Sequence, residues 1–376
     1  MESLIELTPF LLDILTKLMA KQKHIVFTGG GTLGHVMPNL PLITAYQEKG
    51  WKVSYIGSKK GEERAKIESL GIPYYPIRTG KLRRYFDWQN FLDIFNVVLA
   101  ILQSFVLMLR LRPNVLFSKG GYVALPPVVG AWLMRVPTVI HESDMTPGLT
   151  TKLSKRFAKK VCVSFQNATK FFPEELVHWT GLPVRNLVFE ANRSRGLEVS
   201  GFDGQRPILL TFGGSLGAGF LNTMIRKNVQ NGNLAGYDVI NICGHGKLDS
   251  NIKFDNYVQF ESLSDDFLHI MKSADLVLTR GGATSLFELL AMKKLHIVVP
   301  LSKNASRGDQ IDNAKYFASL GVSSFIEEED YTWEKMEGMI QQTLENKETI
   351  LKEIDQLEFA IATQKVLDVI ESVHKG

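Results

Sequence analysis

A glycine-rich stretch near the start of the chain is repeated half a chain later. Residues 28–35 (TGGGTLGH) follow an apolar run, and residues 211–217 (TFGGSLG) follow another and repeat the Gly-Gly-Thr/Ser-Leu-Gly pattern 183 positions on. Glycine lets the backbone reach φ > 0 and approach a ligand, while a helix N-terminus presents unpaired N–H groups to an anion. Two strand–glycine loop–helix units therefore predict two similar nucleotide-binding-type domains that face each other.

Length and composition agree with two folded domains. At 376 residues the chain exceeds what one hydrophobic core usually organises, and its 45% hydrophobic and 22% charged content is that of an ordinary globular protein. The two cysteines, Cys162 and Cys243, lie far apart in apolar runs. They are expected to be buried thiols in a reducing compartment.

Charge is unevenly distributed along the chain. Residues 1–183 have a formal balance of +10 and the remainder −6. A basic N-terminal half suits an anionic membrane surface or an anionic substrate, with nucleic acid a weaker fit and a solvated basic face the alternative. The basic and aromatic stretch 80–88 (GKLRRYFDW) precedes an apolar segment, which favours anionic lipid. No nucleic-acid-binding motif accompanies it, so no nucleic-acid partner is expected.

The N-terminal segment shows no secretory signal. Residues 1–20 are apolar but carry three acidic side chains and lack a basic start and a small-residue cleavage site. They are either an amphipathic helix on a membrane or partner, or a disordered or expression-derived extension. The apolar, charge-free run 94–109 has 16 residues, short of the ~18 expected of a spanning helix. We therefore expect a cytoplasmic protein that is at most peripheral to a membrane.

Apolar strands alternate with helical segments in both halves, which predicts parallel sheets covered by helices on both faces. The expected strands are 25–28, 53–57, 74–77, 115–118, 138–141, 160–163, 208–212, 238–243, 258–260, 276–279, 296–300 and 323–326. The expected helices are 40–48, 62–70, 91–111, 123–134, 220–229, 266–272, 284–291, 309–320, 333–345 and 359–374. A hinge is expected at 180–185, followed by a charged stretch at 190–205.

The first glycine loop matches a dinucleotide fingerprint incompletely. Gly29, Gly31 and Gly34 have the right spacing, but the second strand ends at 55–59 (YIGSK) with no carboxylate to hold a ribose. A dehydrogenase is therefore disfavoured. His35 follows the loop at the expected mouth of the inter-domain space, where a neutral imidazole could take a proton from a hydroxyl nucleophile. A histidine that only caps or packs is the alternative.

Two stretches in the second half suit a nucleotide-sugar. In 279–288 (TRGGATSLFE), glycines end a strand and Ala283, Thr284 and Ser285 open a helix, so this is a phosphate seat. Glu288 lies one turn beyond Thr284 and can accept from both hydroxyls of a ribose, unless it is an ordinary surface glutamate. The acid and amide groups of 306–314 (SRGDQIDNA) suit sugar hydroxyls, although aspartate is also a common N-cap. No metal-site, serine-hydrolase or ATPase motif is present in the sequence.

Together these motifs resemble the MurG family of peptidoglycan N-acetylglucosaminyltransferases, in the form typical of low-GC Gram-positive bacteria. The resemblance covers about 23–372 and rests on seven ordered stretches. They are GGGTLGH (29–35), GKLRRYF (80–86), SKGGYV (118–123), HESD (141–144), GGSLGA (213–218), RGGAT (280–284) with Glu288, and SRGDQIDNA (306–314).

The resemblance implies a GT-B fold, an α/β architecture of two doubly wound Rossmann-like domains with the active site in the cleft between them. It implies inverting transfer of N-acetylglucosamine from UDP-N-acetylglucosamine to the 4-hydroxyl of the muramyl sugar of lipid I, giving lipid II and UDP. No cofactor and no metal ligand are expected. The process implied is peptidoglycan synthesis and, through it, cell shape and division, at the cytoplasmic face of the membrane. Other cell-wall synthesis proteins are candidate partners.

The resemblance also assigns roles to residues. His35 would be the general base. The acceptor would be held by Gly30, Gly31, Thr32, Gly34, Tyr122 and Asp144. The donor would be held by Arg185, Gly214, Ser215, Leu263, Ala283, Thr284, Ser285, Glu288, Asp309 and Gln310. The family often has asparagine in place of Asp144, glutamine in place of Asp309 and glycine in place of Leu33.

The expected segments are an N-terminal extension (1–22), an acceptor and membrane-associated domain (23–183), a UDP-sugar domain (184–356) and a helix that crosses back (357–376). Two other functions fit the same plan. One is a glycosyltransferase that transfers from a UDP-sugar to diacylglycerol. The other is a catalytically silent, membrane-associated scaffold that binds nucleotide-sugar.

Overall fold

A computed structural model of the protein describes residues 22–80, 89–214, 219–264, 266–303, 308–357 and 362–374, with side chains from residue 95 in the second range. These residues form two parallel β-sheets, each with helices on both faces. Among them, no helix combines the length and apolarity needed to cross a membrane. The predicted extension at 1–20, the basic residues 81–88 and Ser215 lie outside the described residues.

The seven strands of the first sheet lie in the order β3-β2-β1-β4-β5-β6-β7, and the six of the second in the order β10-β9-β8-β11-β12-β13. The strands are β1 His24–Thr28, β2 Lys52–Ser58, β3 Tyr74–Ile77, β4 Val115–Ser118, β5 Thr138–Glu142, β6 Lys160–Val163, β7 Val177–Trp179, β8 Ile208–Phe212, β9 Asp238–Ile242, β10 Tyr257–Phe260, β11 Leu276–Thr279, β12 His296–Val298 and β13 Ser324–Phe325. The central strands β1 and β8 are buried along their whole length, as expected of parallel strands covered on both faces.

The described helices fill the connections between these strands. They are α1 Asn39–Glu48, α2 Glu62–Glu68, α3 Gln89–Leu111, α4 Leu125–Leu133, α5 Leu149–Ser154, α6 Leu187–Glu190, α7 Arg193–Ser200, α8 Gly219–Gln230, α9 Phe267–Ser273, α10 Ala283–Ala291, α11 Asp309–Ser319, α12 Trp333–Glu345, α13 Lys347–Asp355 and α14 Ala362–His374. Short 3-10 turns occur at Leu33–His35, Gln166–Phe171 and Glu328–Asp330.

The strand order of each sheet reverses beside its first strand. In the first sheet β1 pairs with β2 on one side and β4 on the other, and in the second β8 pairs with β9 and β11. Loops that leave the carboxyl ends of these strands diverge at the reversal and open a crevice there. Both glycine loops therefore start at the point where ligands bind in open α/β sheets.

The two domains share one continuous core at their junction. The ring of Phe165, just after β6, lies edge-on to Phe287 of α10 and Tyr316 of α11 at centroid distances of 5.5 and 5.0 Å. The last described helix, α14, packs on β4, β5 and β6 of the first sheet and buries Val366 and Ile370 there. A helix that follows the second domain in sequence is therefore part of the core of the first.

All twelve predicted strands are present, with ends shifted by up to two residues. Sequence reasoning missed the three-residue edge strand β7 and the helices α5, α6, α7 and α13. Helix α7 lies inside the charged stretch predicted at 190–205, where its side chains pack against α9. The charged sequence carries no local signal for this helix. Its stability comes from tertiary packing and from the N-cap side chain of Asn192, which accepts from Arg195 N.

Candidate functional site

The acceptor-side residues come together at the carboxyl ends of β1, β4 and β5. Gly31 has φ +96°, and a methyl group built on it would lie 2.6 Å from Cε1 of Tyr122, so the tyrosine ring covers the glycine loop. Gly121, at φ +80°, presses against the same loop, where a methyl group would lie 1.9 Å from the Gly30 carbonyl oxygen. Glycine is required at both positions because a side chain would separate the two loops.

A buried carboxylate from α2 supports the glycine loop. The Glu63 side chain accepts from Ser58 N at 3.0 Å, from Ser58 Oγ at 2.6 Å and from Gly31 N at 3.4 Å. The strand itself ends without a carboxylate, as the sequence shows, but the side chain of Glu63, five residues after Ser58, folds back to the end of β2. Its oxygens already accept from Ser58 and Gly31, so they brace the loop.

His35 lies where the two domains meet. It ends the 3-10 turn after the glycine loop, and a methyl group built on Gly120 would lie 3.9 Å from its Nδ1. The preceding residue, Gly34, accepts a hydrogen bond through its carbonyl oxygen from Thr284 Oγ1 at 3.1 Å. The first turn of α10 in the second domain thus contacts the loop that carries the candidate base.

The candidate nucleotide-binding residues lie on β11 and α10. The chain leaves β11 through Gly281 and Gly282, and Ala283, Thr284 and Ser285 form the first turn of α10. Arg280 anchors this turn, because its buried guanidinium donates to the carbonyl oxygens of Val299 and, more weakly, Pro300. The first turn of α10 therefore has a rigid support, which a phosphate-binding helix N-terminus requires.

Glu288 and Arg185 form an ion pair beside the candidate phosphate seat. Arg185 Nε and Nη2 donate to the two carboxylate oxygens of Glu288 at 2.7 and 2.8 Å, and the side chains are 17% and 4% exposed. The sequence analysis assigned both residues to donor binding, but it did not predict that they contact each other. The pair joins the inter-domain segment to α10, so any ribose bound by Glu288 shares the carboxylate with Arg185.

A residue in the first half of α11 also contacts the first domain across the cleft. Asn313, which is fully buried, accepts from Met145 N at 3.1 Å and donates to Asp144 Oδ1 at 3.3 Å and to Gly281 O at 3.0 Å. This one side chain ties the acceptor loop to the phosphate loop. Sequence reasoning missed this role, since the only signal for Asn313 is its place in the SRGDQIDNA stretch.

The other candidate donor residues lie on neighbouring loops and on α11 of the second domain. The Gln310 side chain accepts from Leu301 N at 3.0 Å, while its neighbour Asp309 opens α11 after Gly308. Gly214 is exposed after β8, and Leu263 is half-buried in the loop after β10. Among the described residues, no group of three or more His, Cys, Asp and Glu side chains could hold a metal ion.

Family models cover both domains. Residues 25–163 match the glycosyltransferase family 28 N-terminal domain and residues 208–373 match the corresponding C-terminal domain. The chain belongs to glycosyltransferase family 28. Its two doubly wound domains confirm the predicted GT-B fold.

Curated relatives of this family 28 chain include enzymes from several bacteria. The chain is 45% identical over 349 residues to the UDP-N-acetylglucosamine--N-acetylmuramyl-(pentapeptide) pyrophosphoryl-undecaprenol N-acetylglucosamine transferase of Legionella pneumophila (strain Paris), covering 92% of this chain and 96% of the relative. The protein of that name from Geobacillus kaustophilus is 43% identical, with 93% and 98% covered. The predicted resemblance to the MurG family is confirmed.

Solved structures agree with the sequence relatives. Acinetobacter baumannii MurG superposes with a TM-score of 0.72 at 25% identity, covering 93% of this chain and 99% of that one. A Neisseria meningitidis UDP-GlcNAc 2-epimerase bound to UDP-GlcNAc has a TM-score of 0.67 at 11% identity, covering 94% and 100%. The second likeness concerns the fold alone.

Proposed function

We propose that this family 28 enzyme transfers N-acetylglucosamine from UDP-N-acetylglucosamine to the 4-hydroxyl of the N-acetylmuramyl sugar in lipid I. The products are lipid II and UDP, and the anomeric carbon is inverted. The observation that carries the proposal is the contact between Thr284 and Gly34, which brings the phosphate seat and the loop of His35 to one point of the cleft. The relatives, which align over more than nine-tenths of the chain, support the choice of donor and acceptor.

His35 acts as general base in this proposal. Its imidazole takes the proton of the acceptor 4-hydroxyl as that oxygen forms a bond to the anomeric carbon. The bond between the anomeric carbon and the β-phosphate oxygen breaks on the opposite face, and UDP leaves with the electron pair. The residue suits this role because it directly follows Gly34, whose carbonyl oxygen accepts from Thr284 in the first turn of α10.

Departing UDP gains its stabilisation from the second domain. The N–H groups of Ala283, Thr284 and Ser285 face the developing phosphate charge, and such fixed dipoles need no reorganisation during the reaction. Glu288 accepts from the ribose hydroxyls, and Arg185 holds the carboxylate in place while its charge favours the diphosphate. The loops that carry Gly214, Ser215 and Leu263 complete the nucleotide site, and Asp309 with Gln310 bind the transferred sugar.

The acceptor binds to the first domain. Gly30, Gly31, Thr32 and Gly34 supply loop N–H groups and a hydroxyl to the pyrophosphate, and Tyr122 and Asp144 border the muramyl sugar. We place this domain at 23–183 and the UDP-sugar domain at 184–356, with 357–376 returning to the first. Closure across 181–185 excludes water and limits hydrolysis of the donor.

The membrane contact is assigned to an apolar face of α3 and α4. Five α3 side chains are about half exposed or more at helical spacing, and Trp132 and Leu133 extend the patch onto the adjacent α4. The five are Phe95, Val98, Leu102, Val106 and Leu109. A patch of this kind on a basic domain suits an anionic lipid surface, where the enzyme meets its lipid-linked acceptor.

Binding to vesicles tests this assignment. Leu102→Ser with Val106→Ser should reduce sedimentation with phosphatidylglycerol vesicles and leave UDP affinity unchanged. Leu248→Ser is the matched control, because Leu248 is as exposed but lies in the second domain. Equal loss in the control would contradict the assignment of the membrane face.

The activity is tested by transfer of labelled N-acetylglucosamine from its UDP donor to a short-chain lipid I analogue, with a chelator present. A disaccharide product in the presence of chelator is expected, because helix N–H groups can neutralise the leaving diphosphate without a metal ion. Transfer to diacylglycerol instead would contradict the acceptor. Binding of UDP without any transfer would favour a silent scaffold.

A further inference from the structure

A lysine is buried beneath the acceptor loops of the first domain. Lys119 follows β4, donates its backbone N–H to Thr28 O at 2.8 Å, and is 1% exposed. Its ammonium reaches the end of β5, where it donates to Ser143 Oγ. A buried ammonium is costly unless it is hydrogen-bonded and compensated by opposite charge.

Two carboxylates supply the compensating charge. Glu142 and Asp144 are the main acidic groups acting on Lys119, and Glu142 holds the loop by accepting from Asp144 N and Gly148 N at 3.1 Å each. The other titratable neighbours carry little charge. Burial raises the pKa of the Cys162 thiol to about 12, and burial with the Lys119 charge lowers the pKa of His141 well below its usual value.

The net charge at the end of β5 affects how strongly an anionic acceptor can bind there. Without Lys119, the end of β5 would carry one more unit of net negative charge beside the loops proposed to meet the acceptor pyrophosphate. Like charges at such a site repel by an amount comparable to one hydrogen bond or more. Asp144 is the least buried member of the set, since it is half-buried, and it accepts a hydrogen bond from Asn313 across the cleft.

We propose that Lys119 is a positioning residue for the acceptor, whose ammonium offsets half of the negative charge of the Glu142–Asp144 loop so that a pyrophosphate can bind beside it. The proposal rests on the proposed function for the identity of the acceptor. Lys119 acts through the loop and does not contact the reacting atoms. Its role is electrostatic, so it should be separable from its contribution to folding.

The central test is charge removal in two steps. Lys119→Met should weaken binding of a short-chain polyprenyl pyrophosphate, measured by calorimetry with UDP at saturation, by about tenfold, the scale of one charge interaction. Adding Asp144→Asn to that variant returns the net charge of this group to that of the unaltered enzyme and should restore binding to within about twofold of the unaltered enzyme. A double variant no better than Lys119→Met, or unchanged binding in Lys119→Met, would overturn the proposal.

Lys294 offers a matched control in the second domain. Its ammonium donates to Lys272 O and Ala274 O, and burial lowers its pKa to about 8, as it does for Lys119. Lys294→Met should lower the melting temperature and leave pyrophosphate binding unchanged. A similar loss of binding in this control would show that Lys119→Met acts through general destabilisation.

The pH profile provides a second test that needs no lysine variant. Burial lowers the pKa of Lys119 to about 8, so the acceptor kcat/KM should fall above that pH as the ammonium loses its proton. Because Asp144 raises the pKa of Lys119, Asp144→Asn should move this fall to lower pH. An unmoved profile would count against the proposal even if Lys119→Met does not fold. Calorimetry reports on Lys119 without turnover, so absence of transfer by the unaltered enzyme would contradict only the proposed function.

Discussion

The ion pair of Arg185 and Glu288 should have two separable effects. It should stabilise the fold, and its carboxylate should bind the donor. Glu288→Gln keeps the shape of the side chain but removes the charge that faces a guanidinium only 17% exposed. Breaking a buried ion pair costs about 3–5 kcal/mol, and we take the lower value because water reaches part of Arg185. At about 2–4 °C per kcal/mol, the melting temperature should fall by about 6–12 °C.

Donor affinity should fall as well. A hydrogen bond to a charged group contributes about 1.5–3 kcal/mol, so loss of the ribose contact should weaken UDP binding by roughly 10-fold to 100-fold. Calorimetric titration with UDP and scanning calorimetry measure the two effects on one preparation. UDP binding equal to that of the unaltered enzyme would refute the ribose contact.

A double variant separates the two effects. Arg185→Met with Glu288→Met replaces the pair by apolar side chains of similar volume and should regain most of the lost melting temperature, because no charge is left buried. UDP binding should stay weak, since no carboxylate remains for the ribose. Glu68→Gln is the control, because it breaks the exposed Arg64–Glu68 pair and should hardly change melting. A single Glu288→Gln variant that melts like this control would refute the structural role.

Three further predictions concern the cleft. His35→Ala should lower kcat by about 10²–10⁴-fold while UDP affinity is unchanged, and equal loss of both in steady-state and binding assays would remove the base assignment. Gly31→Ala should raise the acceptor KM, because its methyl group meets Tyr122, whereas Gly50→Ala, also at positive φ but with open space around it, should affect melting alone. Thr284→Val removes the hydroxyl that crosses the cleft and should lower kcat severalfold with UDP affinity kept, and unchanged turnover would show that the contact is dispensable.

Local patterns in the chain were enough to predict most of the architecture. Strands such as β1, β4, β6, β8 and β11 were located to within a residue, because buried parallel strands are continuous apolar runs. Elements that depend on packing were missed. Helix α7 is charged, and the edge strand β7 has only three residues, so neither has a strong local signal.

The candidate phosphate-binding loops could also be proposed from the chain, for a physical reason. Glycines followed by a helix start present N–H groups that can bind an anion wherever the segment is placed, so the residues after β1 and β11 could be predicted as anion-binding from their order alone. The order and spacing of the motifs likewise pointed to the family, and the relatives confirm it.

The charge arrangement around the candidate phosphate seat was decided by tertiary structure. Arg185 and Glu288 are 103 residues apart and pair only because the inter-domain segment passes α10. Asn313 joins the two domains through Asp144, 169 residues away, and Lys119 acquires its significance from burial next to β5. The sequence alone thus determined the two domains, their glycine loops and the family. Which side chains are buried, and which charges then face each other, depended on long-range packing that no local pattern records.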